Sequence, residues 1–277
     1  MSFDIAVIGG GPAGLSAAVN ARARGKRVLV VSNDLEDNPL WKSERVDNYP
    51  GMPGAAGPEL LKALEDHALA AGAEIRRGRV LNTVYDGERW YLSIGADVED
   101  AAALILAAGI VRGKKFPGEE RLLGAGVSYC ATCDGALYRN KEVAVVGYDA
   151  EAQREAAFLE EIGCKVRYFE RPRQCEVEGG QKVTAVVVDG QRYSVDAVFL
   201  LRPSMAPTEL FPELETEGSF VKVDRNMATN LPGVFAAGDC TGGPLQVAKA
   251  TGEGLIAGQK AAAYVDAWNR QLENHEK

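Results

Sequence analysis

The feature that most constrains the fold is a glycine turn near the start of the chain. Residues 9–14, GGGPAG, contain a G-x-G-x-x-G pattern that follows an apolar segment, 3–8, and opens a helical one, 12–24. A second apolar segment, 27–31, comes next. Strand, glycine turn, helix and strand in this order are typical of a βαβ unit that binds a dinucleotide, because glycines let the pyrophosphate approach the helix N-terminus. The sequence therefore predicts a dinucleotide site here.

Further residues of that site are expected where later strands end. Asn33 and Asp34 both lie near the spacing of an acidic ribose ligand. Residues 108–109, Ala-Gly, end another strand pattern at a point where a backbone can approach a ligand closely. Gly238-Asp239 could present a carboxylate to a ribityl or ribose hydroxyl, and the helix start at 245–248 could turn its N–H groups towards an electron-rich ring.

A second strand-turn-helix pattern has lost its glycines. A strand pattern at 142–146 precedes the residues 147–152, GYDAEA, in which a tyrosine and two carboxylates take the positions that should admit a pyrophosphate. Carboxylates at a helix N-terminus suit the helix dipole but repel phosphate. Arg171 and Arg173 follow the next strand pattern, and the connector to the strand at 183–188 leaves no room for another helix and strand. We expect a structural remnant of a nucleotide domain.

Together these patterns predict an α/β fold class with two Rossmann-like, three-layer ββα domains. Strand patterns at 221–223 and 234–236 return the chain to the first domain. The predicted boundaries make the first domain discontinuous, with a smaller redox domain inserted into it. They are residues 1–112 and 222–277 for the dinucleotide domain, and 113–221 for the insert.

The insert carries a Cys-x-x-Cys motif, SYCATCDG at 128–135. Cys130 and Cys133 are spaced to close a small disulfide, and the motif favours a reactive thiolate. Asp134 is either a proton donor and acceptor for that chemistry or a turn residue. Half of a zinc site is the alternative, but a second ligand pair is needed and no metal site is expected. The remaining cysteines and the histidines are scattered: Cys164, Cys175, Cys240, His67 and His275.

Composition excludes several classes of protein. A net charge of −8 disfavours a nucleic-acid partner, which would require a basic excess. The N-terminus has no signal-peptide pattern, and no apolar run approaches the length that spans a bilayer. We therefore expect a cytoplasmic protein without a membrane partner. In that reducing compartment a cysteine pair is expected to cycle between dithiol and disulfide.

Three motifs in combination resemble the low-molecular-weight thioredoxin reductases: IGGGPAG at 8–14, YCATCDG at 129–135 and VFAAGDCTGGPLQVAKATGEG at 234–254. The resemblance covers nearly the whole chain. It implies an FAD cofactor, a homodimer and thioredoxin as the disulfide substrate. It also implies that Cys133 faces the flavin, that Cys130 attacks the thioredoxin disulfide and that Asp134 shuttles the proton. The residues expected to bind FAD are Gly9, Gly11, Pro12, Ala13, Gly14, Asn33, Leu40, Asn48, Val80, Ala108, Gly109, Gly238, Asp239, Gln246, Val247 and Ala248.

Within that family the chain looks most like the ferredoxin-dependent flavin thioredoxin reductases, which do not use a pyridine nucleotide. GYDAEA at 147–152 and FERPRQ at 169–174 stand where NADPH-dependent members have a glycine fingerprint and an arginine-rich motif with histidine. The loop 38–51 also resembles that subgroup. Reduced ferredoxin is then the expected electron donor. Two basic clusters are candidates for its docking face: Arg76, Arg77 and Arg79, or Arg112, Lys114 and Lys115. The alternative, which stays open, is that these are solvated surface charges.

Three alternatives stay open at this point. An NADPH-dependent reductase of the same fold would bind nicotinamide unconventionally. A flavin-bound redox sensor or interaction protein would use the disulfide as a switch, although a switch does not need the aspartate beside Cys133. A second flavin could also bind where nicotinamide was lost.

Overall fold

The computed structural model of the chain describes residues 2–109, 115–129, 131–148, 150–202 and 207–275. The chain divides into two compact units. The first comprises Met1–Val111 and Ser204–Lys277, and the second comprises Arg112–Pro203. The α/β fold class with parallel sheets is confirmed.

The helices and strands fall into three groups along the chain: the first part of the first unit, the second unit, and the rest of the first unit. The first unit begins with β1 (Phe3–Ile8), α1 (Pro12–Arg22), β2 (Val28–Ser32), α2 (Gly57–Ala70), β3 (Glu74–Arg77), β4 (Val80–Tyr85), β5 (Trp90–Ile94) and β6 (Asp97–Leu106). The second unit contains α3 (Glu119–Leu122), β7 (Val127–Ser128), α4 (Ala131–Asp134), β8 (Glu142–Gly147), α5 (Ala150–Glu161), β9 (Lys165–Glu170), β10 (Cys175–Gly179), β11 (Val183–Val188), β12 (Gln191–Ser194) and β13 (Ala197–Leu201). The first unit is completed by α6 (Pro207–Leu210), β14 (Thr216–Glu217), β15 (Phe220–Val221), β16 (Val234–Ala236) and α7 (Val247–His275).

The main sheet of the first unit has the order β3-β2-β1-β6-β5-β4, with β16 also paired to β6. Strand β6 joins two kinds of pairing. Its first half is antiparallel to β5, and its second half is parallel to β1 and β16. The sequence pattern placed 74–80 in a small antiparallel layer, which is wrong for β3, because β3 pairs in parallel with β2.

The strand β1 alternates between two cores, as expected for a strand buried on both faces. Ile5 and Val7 pack with alanines of α1 and α7 on one face of the sheet. Ala6 and Ile8 pack with Leu104 and other residues on the opposite face. The chain therefore needs apolar residues at consecutive positions of this strand, which explains the apolar run Ile5–Ile8.

Helices α1 and α7 cross at very short distance on the helical face of the sheet. A Cβ added to Gly254 would lie less than 3.0 Å from the carbonyl oxygen of Ala13, and one added to Gly258 would meet that of Ala17 equally closely. Side chains do not tolerate such contacts. Glycine at these two positions therefore sets how closely the C-terminal helix approaches the helix that follows the glycine turn.

The second unit has three layers. A parallel sheet of order β7-β13-β8-β9 lies between α5 and an antiparallel sheet of order β10-β11-β12. Val143 and Val145 of β8 pack with α5, whereas Ala144 and Val146 pack with the antiparallel sheet. This is the three-layer arrangement that the sequence predicts for the insert.

The second boundary between the units differs from the predicted one. The predicted insert ended at residue 221, but the division falls between Pro203 and Ser204. Leu210, Phe211 and Val221 are buried in the first unit, in the core that contains Phe3. The sequence missed this because a short helix and two-residue strands carry almost no periodic pattern.

No helix in the described ranges is long and apolar enough to cross a membrane.

We predict that Gly258→Ala lowers the free energy of unfolding by about 1–3 kcal/mol, because the added methyl group overpacks the crossing of α1 and α7. Gly252→Ala is the matched control, since that glycine lies on the same helix with nothing within 4 Å of the added Cβ. It should be neutral or stabilising by up to about 1 kcal/mol. Urea unfolding followed by circular dichroism measures both, and equal effects would contradict the close crossing.

Candidate active site

The carboxyl ends of the parallel strands in the first unit meet at one edge of the sheet. The amide of Gly9 donates to the carbonyl of Val31 at 2.8 Å, and that of Ala237 donates to the carbonyl of Leu106 at 2.9 Å. Ligands of doubly wound sheets bind at this edge. It gathers the predicted cofactor residues that follow β1, β2, β6 and β16, namely Gly9, Asn33, Ala108, Gly109, Gly238 and Asp239.

The glycine turn has the geometry that a pyrophosphate requires. Gly9 has φ of +114°, and a Cβ added there would lie less than 3.0 Å from the Ala107 carbonyl. A Cβ on Gly14 would meet the Gly9 carbonyl equally closely, so α1 approaches its preceding strand as near as backbone allows. Gly11 caps α1 without a side chain, and Pro12 opens the first turn. The helix N-terminus is therefore accessible to an anion.

The loop after β2 lies beside this turn. The Asn38 side chain accepts from the amide of Leu40 at 3.0 Å, and its Nδ2 is 3.2 Å from the position of a Cβ on Gly11. Leu40 thus belongs to a short 3₁₀ turn, Pro39–Lys42, next to the glycines. Asn33 leaves β2 with its carbonyl accepting from Arg77 at 3.2 Å.

Two other residues that were predicted to bind the cofactor lie in the apolar core and in an exposed loop. Val80 is buried at the start of β4, in the apolar core. Asn48 is exposed in the loop closed by the pairing of Val46 with Ala55. No hydrogen bond of the described residues joins Asn48 to the strand ends, so its role stays a prediction.

The segment after β16 packs against the first turn of α1. Gly238 has φ of +86°, and a Cβ added there would lie 2.7 Å from the Cβ of Ala13. Asp239 follows in a 3₁₀ turn, Asp239–Thr241, before the chain enters α7. The predicted helix-start residues divide by exposure: Gln246 is exposed, and Val247 and Ala248 are half-buried.

The redox motif is only partly described. Cys130 lies outside the described residues, and so does the side chain of Cys133. The backbone of α4, which contains the half-buried Asp134, is anchored to α5 because the Ala131 amide donates to the buried carboxylate of Glu155 at 3.0 Å. Burial and the neighbouring carboxylate of Asp134 raise the pKa of Tyr138.

The other three cysteines are buried and free. Burial raises the pKa of Cys175 and that of Cys240 to about 12. Burial also raises the pKa of Cys164, whose thiol lies 3.6 Å from the carbonyl of Gly135. Thiols with such pKa values carry almost no thiolate near neutral pH and are poor nucleophiles.

The corresponding edge of the second unit is occupied by its own side chains. Tyr148 follows β8 and donates its amide to Leu201, the last residue of β13, at 3.1 Å. The ring of Phe116 lies against that of Tyr148 with centroids 6.4 Å apart, and the guanidinium of Arg202 lies 5.0 Å from the Phe116 ring. An added Cβ on Gly147 would meet the hydroxyl of Tyr168 within 3.0 Å. The side chains of Phe116, Tyr148 and Tyr168 thus lie beside the described part of the degenerate turn.

A buried ion pair holds these side chains in place. Glu119 is fully buried and accepts two hydrogen bonds from Arg202, at 2.7 and 2.8 Å. It also accepts from the Phe116 amide at 2.7 Å and from the Tyr129 hydroxyl at 3.0 Å. Burial alone would raise the pKa of Glu119, but the hydrogen bonds from Arg202 and Phe116 outweigh it and the pKa is lowered. Burial raises the pKa of Tyr148 to about 12, so the phenol is neutral.

The arginines of the first basic cluster are paired or buried, and its role in docking stays a prediction. Arg76 and Arg77 each pair with a glutamate at 2.7 Å, and Arg79 is 8% exposed. In the second cluster Lys115 is exposed and pairs with a glutamate at 2.9 Å. The other two members of that cluster lie outside the described residues: Arg112 and Lys114.

Across the described ranges, no three His, Cys, Asp or Glu side chains are grouped in a way that could hold a metal ion.

Two residue pairs at these edges were not singled out from the sequence. Glu119 and Arg202 are 83 positions apart, and no local pattern connects them. Lys249 and Glu253 have the i, i+4 spacing of a helical ion pair, so that signal was present. What the spacing does not reveal is that the pair faces the turn that carries Asp239.

We predict that Glu119→Gln lowers the free energy of unfolding by about 3–5 kcal/mol, because the mostly buried guanidinium of Arg202 is left without its counter-ion. Glu178→Gln is the control in the same unit, since its pair with Arg192 is exposed and worth about 0–1 kcal/mol. The contribution of Glu119 is present above its unfolded-state pKa of about 4.3 and is lost as pH falls through the lowered folded-state value. Urea unfolding at pH 7 and pH 3.5 measures this. The difference in unfolding free energy between the unaltered protein and Glu119→Gln should be smaller at pH 3.5 than at pH 7. Equal losses for Glu119→Gln and Glu178→Gln at pH 7 would contradict the buried pair.

Comparison with known proteins agrees with this geometry. The profile of the pyridine nucleotide-disulphide oxidoreductases matches residues 3–179 and 172–254. A thioredoxin reductase of Listeria innocua is 32% identical over 98% of this chain and 96% of its own length. A ferredoxin-flavin thioredoxin reductase of Clostridium acetobutylicum superposes with a TM-score of 0.88 at 37% identity, covering 96% of this chain and 98% of that one. A thioredoxin reductase of Gloeobacter violaceus gives a TM-score of 0.82 at 31% identity, covering 96% and 95%. This chain belongs to the pyridine nucleotide-disulphide oxidoreductase family and, within it, to the thioredoxin reductases.

Proposed function

We propose that this protein reduces thioredoxin through FAD and a Cys130–Cys133 disulfide, and that reduced ferredoxin supplies the electrons. The observation that carries the choice of donor is the occupied edge of the second unit. Tyr148, Phe116 and Arg202 lie where a doubly wound sheet would bind its nucleotide, between the carboxyl ends of β8 and β13. We infer that these side chains leave no crevice for a pyridine nucleotide there.

Two further features support the loss of that site. The turn 147–152 lacks the small residues that close approach of a pyrophosphate requires. Only residues 171–174 connect β9 to β10, so the unit has no additional helix and strand at the side where the adenosine would lie. The likeness to a ferredoxin-flavin thioredoxin reductase points to the same donor.

The first unit suits FAD. The N-terminus of α1 at Gly11 would hold the pyrophosphate, and Asp239 would bind the ribityl chain beside the start of α7. When bound, FAD supplies the conversion between single electrons from an iron-sulfur protein and the electron pair that a disulfide requires. The close approach of Gly9 and Gly14 to backbone carbonyls shapes this site and excludes side chains from it.

The disulfide then carries the electrons to the substrate. Two electrons and two protons convert the Cys130–Cys133 disulfide to two thiols, with Asp134 moving a proton. The Cys130 thiolate attacks the thioredoxin disulfide, and the Cys133 thiolate resolves the mixed disulfide, so that the enzyme pair is reoxidised as thioredoxin is reduced. A plant-type ferredoxin, with a reduction potential of about −400 mV, can drive this reduction, because the reduction potential of thioredoxin is about −270 mV.

The proposal extends to a cytoplasmic homodimer. Free, buried thiols at Cys164, Cys175 and Cys240 suit a reducing compartment, in which the motif cysteines cycle rather than form a permanent cross-link. The dimer rests on the resemblance to the thioredoxin reductases.

We predict that reduced ferredoxin bleaches the flavin absorbance at 450 nm rapidly and that NADPH does not. The reason is that the nucleotide edge is filled while electron transfer from a protein needs no such crevice. Anaerobic stopped-flow mixing of the purified protein with each donor measures this. Rapid bleaching by NADPH with none by ferredoxin would overturn the donor and favour an NADPH-dependent reductase of the same fold.

We predict that Cys130→Ala and Cys133→Ala each abolish thioredoxin reduction, because exchange requires both sulfurs. Cys175→Ala is the control: its thiol is buried with a pKa raised to about 12, so turnover should stay within about twofold of the unaltered protein. The assay follows thioredoxin-dependent reduction of a disulfide reporter with reduced ferredoxin as donor. Turnover without the motif cysteines would contradict electron transfer through the disulfide and would mean that the flavin reduces thioredoxin directly.

A further inference from the structure

A mostly buried lysine near the start of α7 binds the turn that follows β16. The ammonium of Lys249 donates to the carbonyl oxygens of Gly238 and Gly242 at 2.7 and 2.8 Å, and to the hydroxyl of Thr241 at 2.9 Å. Its side chain is 15% exposed. Three N–H donors thus meet three oxygens of one turn, which is the full donor capacity of an ammonium group.

The partner of this lysine binds the same turn from one helical turn further on. Glu253 lies 3.0 Å from the Lys249 ammonium and is 19% exposed on its side chain. Its Oε2 also accepts from the Gly238 amide at 2.9 Å and from the Thr241 hydroxyl at 2.8 Å. Both polar groups of Gly238 are therefore held by the pair, the carbonyl by Lys249 and the amide by Glu253.

These contacts exceed what an i, i+4 ion pair on a helix surface provides. An exposed pair joins two side chains of one helix and is worth about 0.3–0.5 kcal/mol. Here two charged side chains are withdrawn from water and directed to the backbone of another segment. Gly238 is held between this pair and Ala13 of α1, which a Cβ on Gly238 would approach to 2.7 Å.

We propose that the Lys249–Glu253 pair fixes the conformation of the Gly238–Gly242 turn, so that Asp239 is presented to the ribityl chain of FAD before the cofactor arrives. Lys249 is a positioning residue in this account, acting through the turn. The inference rests on the FAD site of the proposed function. A turn that is already ordered does not have to lose conformational freedom on binding, so the pair raises the affinity for FAD.

Replacing Lys249 tests the proposal. Lys249→Met keeps the length and apolar stem of the side chain but removes the ammonium that donates to two carbonyls and a hydroxyl, and it leaves the mostly buried carboxylate of Glu253 without its counter-ion. We expect the dissociation constant for FAD to rise at least tenfold, which corresponds to about 1.4 kcal/mol. Titration of the apoprotein with FAD, followed by flavin fluorescence, measures the constant. Lys260→Met is the matched control, an exposed lysine of the same helix, and should leave it unchanged.

A local readout separates positioning from general loss of stability. Hydrogen exchange of the apoprotein should quicken at the amides of 238–242 in Lys249→Met while those of β1 and β2 keep their protection. If this variant does not fold, Thr241→Val removes the hydroxyl that joins lysine and glutamate and should weaken FAD binding severalfold. Unchanged affinity in a folded variant, or exchange that quickens equally throughout the unit, would overturn the inference.

The outcomes also distinguish this inference from the proposed function. If the unaltered protein binds no FAD, the proposed function fails and the inference fails with it. If the unaltered protein binds FAD and is reduced by ferredoxin while Lys249→Met binds FAD as tightly, only the inference fails.

Discussion

The first unit depends on how closely the end of β1 and helix α7 approach helix α1. Gly9 and Gly14 bring the helix against the end of β1, and Gly254 and Gly258 bring α7 against the same helix. Hard-sphere contact rather than attraction sets these distances, because any side chain larger than hydrogen would separate the segments. As a result residues near position 13 and near position 238 become neighbours, and the proposed cofactor site draws on opposite ends of the chain.

The two units share a layout of parallel strands and a following helix but use the carboxyl edge of the sheet in opposite ways. In the first unit the edge is lined by glycines and by the N-terminus of α1, an arrangement that suits an anion. In the second unit the edge is taken by aromatic rings and by the guanidinium of Arg202, which a buried carboxylate neutralises. The same topology thus serves binding in one unit and support of the redox motif in the other.

Much of this was predictable from the sequence, and the exceptions share a cause. The glycine turn, the strand β1 and the degenerate turn at 147–152 are local patterns, in which neighbours in sequence determine the structure. The pairing of β3, the return of the chain to the first unit at Ser204, and the contact of Glu119 with Arg202 are relations between distant segments. A strand pattern fixes which face is buried but not which strand lies alongside. Lys249 and Glu253 had a local signature, yet only the fold shows that they bind another segment.

The buried pair in the second unit has a consequence for how this lineage can change. A nucleotide site at this edge would require space beside Tyr148, and therefore the removal of Arg202 or Phe116. Loss of the arginine alone leaves a buried carboxylate without its counter-ion, which costs about 3–5 kcal/mol of folding stability. The total stability of a fold is of the order of 5–15 kcal/mol. Loss of the glutamate alone leaves the guanidinium of Arg202 without its counter-ion in the same way. Each such single step passes through a weakened protein, so the folding stability of the second unit opposes the opening of a nucleotide site at this edge.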